Sequence, residues 1–209
     1  MAKRVQSSWL KQKWAERQKT QGALCRASYL NILSSMSEEL VQAFVRGHKV
    51  LACGNGGSAC DATHFCEELT GRYGPDRPAL PALPLTEGAH ITCTANDYGF
   101  EHVFARAVQA LGQTGDILLV LSTSGNSPNI IKAVESAQKI GMLVLAFTGK
   151  GGGKVKDLCD LEFRVPSQKT EIIQEMHIQA LHSLIEGVER LMYPQLYGPV
   201  KRSIKKKRV

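Results

Sequence analysis

Apolar residues recur at helical spacing through residues 8–46 (Leu30, Leu33, Leu40, Phe44), so this stretch reads as mostly helical. Ser37 followed by Glu38 and Glu39 predicts a fresh helix start within it. Ser37 is then the N-cap, and the two acids sit in the first turn, where the helix dipole favours them. Gly47 predicts the end of that helix. Beyond it the period changes. Short apolar runs at 49–53, 82–85, 117–122, 143–148 and 161–165 predict strands. Helices are predicted over 58–72, 99–111, 127–140 and 152–158, and a long final one over 170–192. Strands alternating with helices predict an α/β fold, a three-layer α/β/α sandwich around a central parallel sheet, with N-terminal helices added. The chain divides into an N-terminal helical region over 1–45, an α/β domain over 46–193 and a basic C-terminal tail over 194–209. Ligands of such sheets bind beyond the carboxyl ends of the strands. Chemistry is therefore expected at 54–58, 86–97, 122–127 and after 165.

Composition agrees with one such domain. The chain has 209 residues, 43% of them hydrophobic, enough for a substantial core. No apolar stretch reaches the length of a bilayer span. The N-terminus MAKRVQSSWLKQKWAERQ lacks an apolar h-region, so no secretory signal is expected; its Lys excess over Arg and its Glu16 argue against a transit peptide. The six cysteines form no CxxC pair, which predicts buried, reduced thiols in a cytoplasmic protein. The net charge of +7 is unevenly placed: residues 1–29 carry +6 and residues 201–209 carry +6, leaving −5 on the body. A nucleic-acid-binding fold needs a basic face on the body itself, so no nucleic-acid partner is expected.

Two loops at predicted strand ends suit a phosphate. Ser122, Thr123, Ser124, Gly125, Asn126 and Ser127 follow the apolar run ILLVL and precede a helix, with Ser127 as N-cap and Pro128 at the first helical position. Four hydroxyls and a set of backbone N–H groups at the positive end of a helix match a phosphate monoester dianion. The spacing is not that of a P-loop. Taken alone this loop is equally consistent with a capped turn. Gly54, Asn55, Gly56, Gly57 and Ser58 follow the first strand, and glycines allow a backbone to approach a ligand closely. Two such loops together favour a phosphorylated ligand.

His64 and Glu68 are four residues apart on the helix that starts at the glycine-rich loop, so they share a face. The final helix carries Gln174, Glu175, His177 and His182. Gln174 and His182 are separated by roughly 12 Å of helix axis. They converge on one ion only by leaning toward each other or by coming from different subunits. His177, Glu175, Glu67, His48, His90 and His102 are read as structural.

The segments ACGNGGSACDATHFCEELTGRY, TANDYGF, STSGNS, TGKGGG and IQEMHIQALH stand in an order and spacing that resemble the phosphoheptose isomerases of the sugar isomerase (SIS) fold family. The resemblance covers about residues 45–192 and implies roles for individual residues. Asn55, Gly56, Gly57, Asn96 and Asp97 would contact substrate. Ser122, Thr123, Ser124 and Ser127 would hold its phosphate, and Arg72 would lie close to it. Glu68 would be the general base, also touching substrate, and His182 its acid/base partner. His64, Glu68, Gln174 and His182 would bind one zinc ion, with Gln174 also at the substrate. The assembly implied is a homotetramer with active sites at subunit interfaces. One departure stands out: Ile172 occupies a position where many relatives carry Arg.

The reaction implied interconverts sedoheptulose 7-phosphate and D-glycero-D-manno-heptose 7-phosphate through an enediol, the first step of ADP- or GDP-heptose biosynthesis. Two rival readings are a non-catalytic SIS protein that binds a replication initiator and a sugar-phosphate-sensing module of a regulator. The presence of both Glu68 and His182, and the acidic body, weigh against them.

Overall fold

The computed structural model describes residues 7–198. The first six residues and the basic segment 201–209 lie outside this range. In chain order the elements are α1 (Ser8–Leu24), α2 (Ala27–Val45), β1 (Val50–Gly54), α3 (Gly57–Thr70), β2 (Ala82–Pro84), α4 (Gly88–Tyr98), α5 (Val103–Leu111), β3 (Ile117–Ser122), α6 (Pro128–Ile140), β4 (Leu143–Thr148), β5 (Leu161–Arg164) and α7 (Thr170–Met192), with short 3-10 turns at Phe100–His102, Val155–Asp157 and Pro194–Leu196.

The five strands are all parallel, in the order β2-β1-β3-β4-β5. Successive side chains of a strand point to opposite faces. Val50, Ala52, Ile117, Leu119, Leu121, Leu145, Phe147 and Phe163 accordingly pack under α2, α3 and α7. Leu51, Cys53, Leu118, Val120, Val144 and Ala146 pack with α5 and α6, and α4 adds Ile91 and Ala95 at the edge of that cluster. This is the expected three-layer sandwich. The strand order reverses between β1 and β3, and a crevice opens at such a switch point beyond the strand ends. The two loops singled out above, 54–58 and 122–127, leave the sheet there.

α1 is polar on most sides, and polar contacts tie it to α7 in parallel register: Lys13 pairs with Glu171 at 2.6 Å, Arg17 with both carboxylate oxygens of Glu175 at 2.6 and 2.7 Å, and the neutral Gln21 amide donates to Gln179 Oε1 at 3.0 Å.

Three expectations need correction. Ser37 starts no helix; it lies inside α2, buried, with its hydroxyl donating to Leu33 O at 2.9 Å and Leu184 O at 3.4 Å. The small side chain serves close approach of α2 and α7, since a Cβ on Gly187 would come within 2.4 Å of Ser37 Oγ. The break in the N-terminal helices falls instead at Cys25–Arg26. Segment 86–97 is not an open strand-end loop: residues 88–98 form α4, started by Glu87, whose carboxylate accepts from Ala89 N at 2.9 Å and His90 N at 2.5 Å. These two bonds hold the Glu87 carboxyl below its ordinary pKa. Only Thr94 of α4 is buried, so no apolar stripe announced the helix. Finally, all six thiols are free, but only Cys53 and Cys66 are buried, while Cys25, Cys60 and Cys93 are exposed.

Candidate active site

The glycine-rich loop is shaped by contacts that leave no room for side chains. A Cβ on Gly54 would lie 2.5 Å from Ser58 O, and Gly56 holds φ at +56°. The chain turns over Gly56, where Ala59 N donates to Gly56 O, and α3 begins with its N–H groups facing the crevice. In the second loop, Ser122 is buried and its hydroxyl accepts from Gly125 N at 3.1 Å, while Ser124 Oγ accepts from Asn126 N at 3.2 Å. Ser127 stands at the N-cap of α6 and Pro128 opens the helix, as expected, yet the Ser127 hydroxyl makes no capping bond. It is left available to a ligand.

The loops are locked together and from behind. The side-chain amides of Asn55 and Asn129 exchange two hydrogen bonds, at 2.9 and 2.8 Å. The TGKGGG segment backs the hydroxyl loop: a Cβ on Gly125 would fall 1.9 Å from Gly152 O, Val155 N donates to Gly125 O at 3.1 Å, and Lys154 N donates to Asn126 Oδ1 at 3.1 Å. The result is two helix N-termini, α3 and α6, beside a row of hydroxyls, a surface suited to an oxyanion. Lys132, one turn beyond Ser127, lines a neighbouring cavity of about 540 Å³ together with Asn55 and Ser127, and its ammonium lies 3.1 Å from His102 Nε2. The sequence reading passed over this lysine; its place on the first turns of α6 was the available signal.

The second part of the site is a side-chain cluster on the seam between α3 and α7. His64 Nε2 lies 3.1 Å from Glu68 Oε1, His182 Nε2 lies 3.7 Å from the same oxygen, and the two Nε2 atoms are 3.4 Å apart. The imidazoles are 44% and 37% exposed and the Glu68 carboxylate 13%. Glu68 Oε2 is buried with no hydrogen-bond partner among the described residues. The Tyr73 ring lies 5.7 Å from that of His182, tilted by 31°. Burial, then the charges of Glu186, Glu68 and Glu189, raise the Tyr73 hydroxyl above its ordinary pKa.

This donor set fits a divalent cation. Two imidazole nitrogens and one carboxylate oxygen, all within 4.8 Å of one another, are ligand types that zinc accepts. Gln174 is not gathered with them. Its carboxamide lies at the other end of α3, against Gly57, and Nε2 donates to Ser58 Oγ at 3.4 Å.

Other candidates fall outside both clusters. Arg72 is exposed on the turn after α3. Asn96 and Asp97 are exposed near the end of α4, where Asn96 Nδ2 donates to Asp97 Oδ1 at 2.7 Å. His177 is structural as expected: it is buried and its Nε2 donates to Thr148 O at 2.9 Å, with burial pushing its pKa down to about 4. Ile172 is buried in the core beneath α7, which gives that position an apolar role. Asp61, half-buried on α3 with Oδ2 unpartnered, was not foreseen; burial raises its pKa to about 6, against a lowering influence from His64.

A five-stranded parallel sheet with polar loops at its switch point and a His–Glu–His cluster on the flanking helices is the architecture of an SIS domain, and the SIS domain family matches residues 26–149. The phosphoheptose isomerase of Fusobacterium nucleatum is 52% identical over 162 residues, covering 78% of this chain and 84% of that protein. Among solved structures, a phosphoheptose isomerase from Francisella tularensis superposes with a TM-score of 0.85 at 37% identity, covering 90% of this chain and all of the other. That from Neisseria gonorrhoeae gives 0.82 at 37% identity, covering 88% and 99%. The chain belongs to the phosphoheptose isomerase family of aldose–ketose isomerases. The initiator-binding and sensor readings are not favoured by these relatives.

Proposed function

We propose that the chain interconverts sedoheptulose 7-phosphate and D-glycero-D-manno-heptose 7-phosphate by proton transfer between carbon 2 and carbon 1. The observation that carries this reading is the convergence of His64, Glu68 and His182 on one seam of a sugar-isomerase fold. The phosphate is held at the hydroxyls of Ser122, Thr123, Ser124 and Ser127 and the N-termini of α3 and α6. Asn55, Gly56 and Gly57, with Gln174 behind them, line the path from the phosphate toward the seam. Asn96 and Asp97 contact the substrate and Arg72 lies close to it, roles carried by the family resemblance alone.

Glu68 is the general base. Its carboxylate takes the carbon-bound proton, with Oε1 facing both imidazoles and Oε2 buried behind it. His182 moves protons on and off the hydroxyl oxygens. His64, Glu68 and His182 would hold a zinc ion, with Gln174 joining the set only from a neighbouring subunit, since within one chain it lies against Gly57; bound there, zinc would stabilise negative charge developing on the substrate oxygens. The active unit is a homotetramer, a reading supported by the exposed Trp9 and Trp14 on α1. A cytoplasmic location is supported by the six free thiols. Among the described residues no helix is long and apolar enough to cross a membrane.

The test is a coupled assay on sedoheptulose 7-phosphate with the wild type and Glu68→Gln. Wild-type protein turns the substrate over, and the variant keeps its fold but loses about 10²–10⁴-fold in kcat. Near-normal turnover by Glu68→Gln would remove Glu68 from the mechanism.

A further inference from the structure

The end of α3 that carries Glu68 has an unusual anchor. The last four carbonyls of a helix lack intrahelical partners. Here Glu67 O is taken by Gly71 N at 2.7 Å, and Leu69 O by Leu80 N at 2.9 Å. Buried Arg77 takes Glu68 O and reinforces Leu69 O: Nη2 donates to Glu68 O at 2.7 Å and Nη1 to Leu69 O at 2.8 Å and to Pro78 O, beyond the helix, at 3.1 Å. Its Nε donates to Glu189 Oε1 at 2.8 Å, and both side chains of this pair are almost wholly out of solvent, at 0% and 1% exposure. Tyr197 OH donates to the other oxygen of Glu189.

Glu189 lies on α7 seven residues beyond His182, two turns along the same face. One guanidinium therefore joins the backbone of Glu68 to the helix that bears His182. The fork matters, because only a planar guanidinium aims N–H groups at two adjacent carbonyls and a carboxylate at once. We infer that Arg77 is a positioning residue, which sets the axial register of Glu68 against His182 and so aligns the base with its acid partner. The inference rests on the acid–base reading given above.

The experiment compares Arg77→Lys and Tyr197→Phe with the wild type, with folding followed by circular dichroism. Lysine keeps the charge against Glu189 and loses the fork. kcat is expected to fall about 10–100-fold in Arg77→Lys, because small misplacements of reacting groups are costly in rate. KM and the inhibition constant of inorganic phosphate stay within about threefold, because the loops at the switch point are held by their own contacts. Tyr197→Phe leaves the ion pair in place and is expected to fold, with kcat lowered about two- to fivefold at unchanged KM. Wild-type kcat in every variant that folds overturns the inference. So does a loss of kcat that only tracks the folded fraction, or one matched by an equal rise in the phosphate inhibition constant. Glu68→Gln in the same assay separates the two readings. If it retains turnover, the acid–base assignment fails; if it is inactive while folded Arg77→Lys is normal, only the role of Arg77 fails.

Discussion

The two halves of the site are built by different means. The oxyanion crevice is made of backbone N–H groups and hydroxyls on two short loops, tied by the Asn55–Asn129 amide pair and backed by Gly152 and Gly153. The α3–α7 seam is made of long side chains, and its parts lie 118 residues apart, as between His64 and His182. The crevice loops are short and braced by their own hydrogen bonds to each other and to the segment behind them. The seam depends on how two helices are set against each other. Binding and proton transfer should therefore respond separately to mutation.

The sharpest way to break this division is His64→Ala, which touches the seam alone. Metal content and activity are expected to fall together, with activity down on the order of 10²-fold, and added zinc should restore little. Affinity for inorganic phosphate should hold. Metal analysis of protein purified without chelator, followed by assay after extensive chelation, checks the pairing. Full activity in zinc-free protein would leave Glu68 and His182 as a purely acid–base pair.

Ser124→Ala and Ser127→Ala probe the other half. Each removes a donor to a charged group, and a loss of about 1.5–3 kcal/mol in substrate binding is expected for each. Inorganic phosphate should compete with substrate in the wild type and less well in both variants. If phosphate fails to compete and both variants bind normally, the hydroxyl loop serves something other than phosphate.

The smallest effect concerns Asp61. Its folded pKa of about 6 lies above the ordinary 3.8, so the folded state resists its ionisation. That cost is absent below the ordinary value and complete above about 6. Asp61→Asn should therefore raise the melting temperature modestly at pH 8 and leave it unchanged near pH 3.5. An equal shift at both pH values would assign the effect to packing rather than to charge.

The crevice was the more legible half. Hydroxyls, glycines and a proline at the first helical position mark a strand–loop–helix junction within six residues, and such signals are local. Glu68 and His64 were legible as an i, i+4 pair, while the place of Gln174 was not, because it depends on how α7 lies along α3. Ser37 and Glu38 formed a convincing start signal, yet packing against α7 overrode it. α4 stayed hidden because it buries little and carries Gly88, Thr92, Cys93, Thr94, Asn96 and Asp97, residues with weak helix propensity.

Short-range periodicity and backbone chemistry are enough to place the alternation of strands and helices, the loops at the ends of β1 and β3 and the residue types available for proton transfer. Folding in three dimensions adds that β1 and β3 are neighbours at the switch point, that His182 meets His64 and Glu68 while Gln174 lies against Gly57, and that Arg77 joins Glu68 to the helix of His182. Each of these depends on long-range register between elements, which is fixed by how apolar faces and buried polar groups are satisfied together and leaves no local mark in the chain.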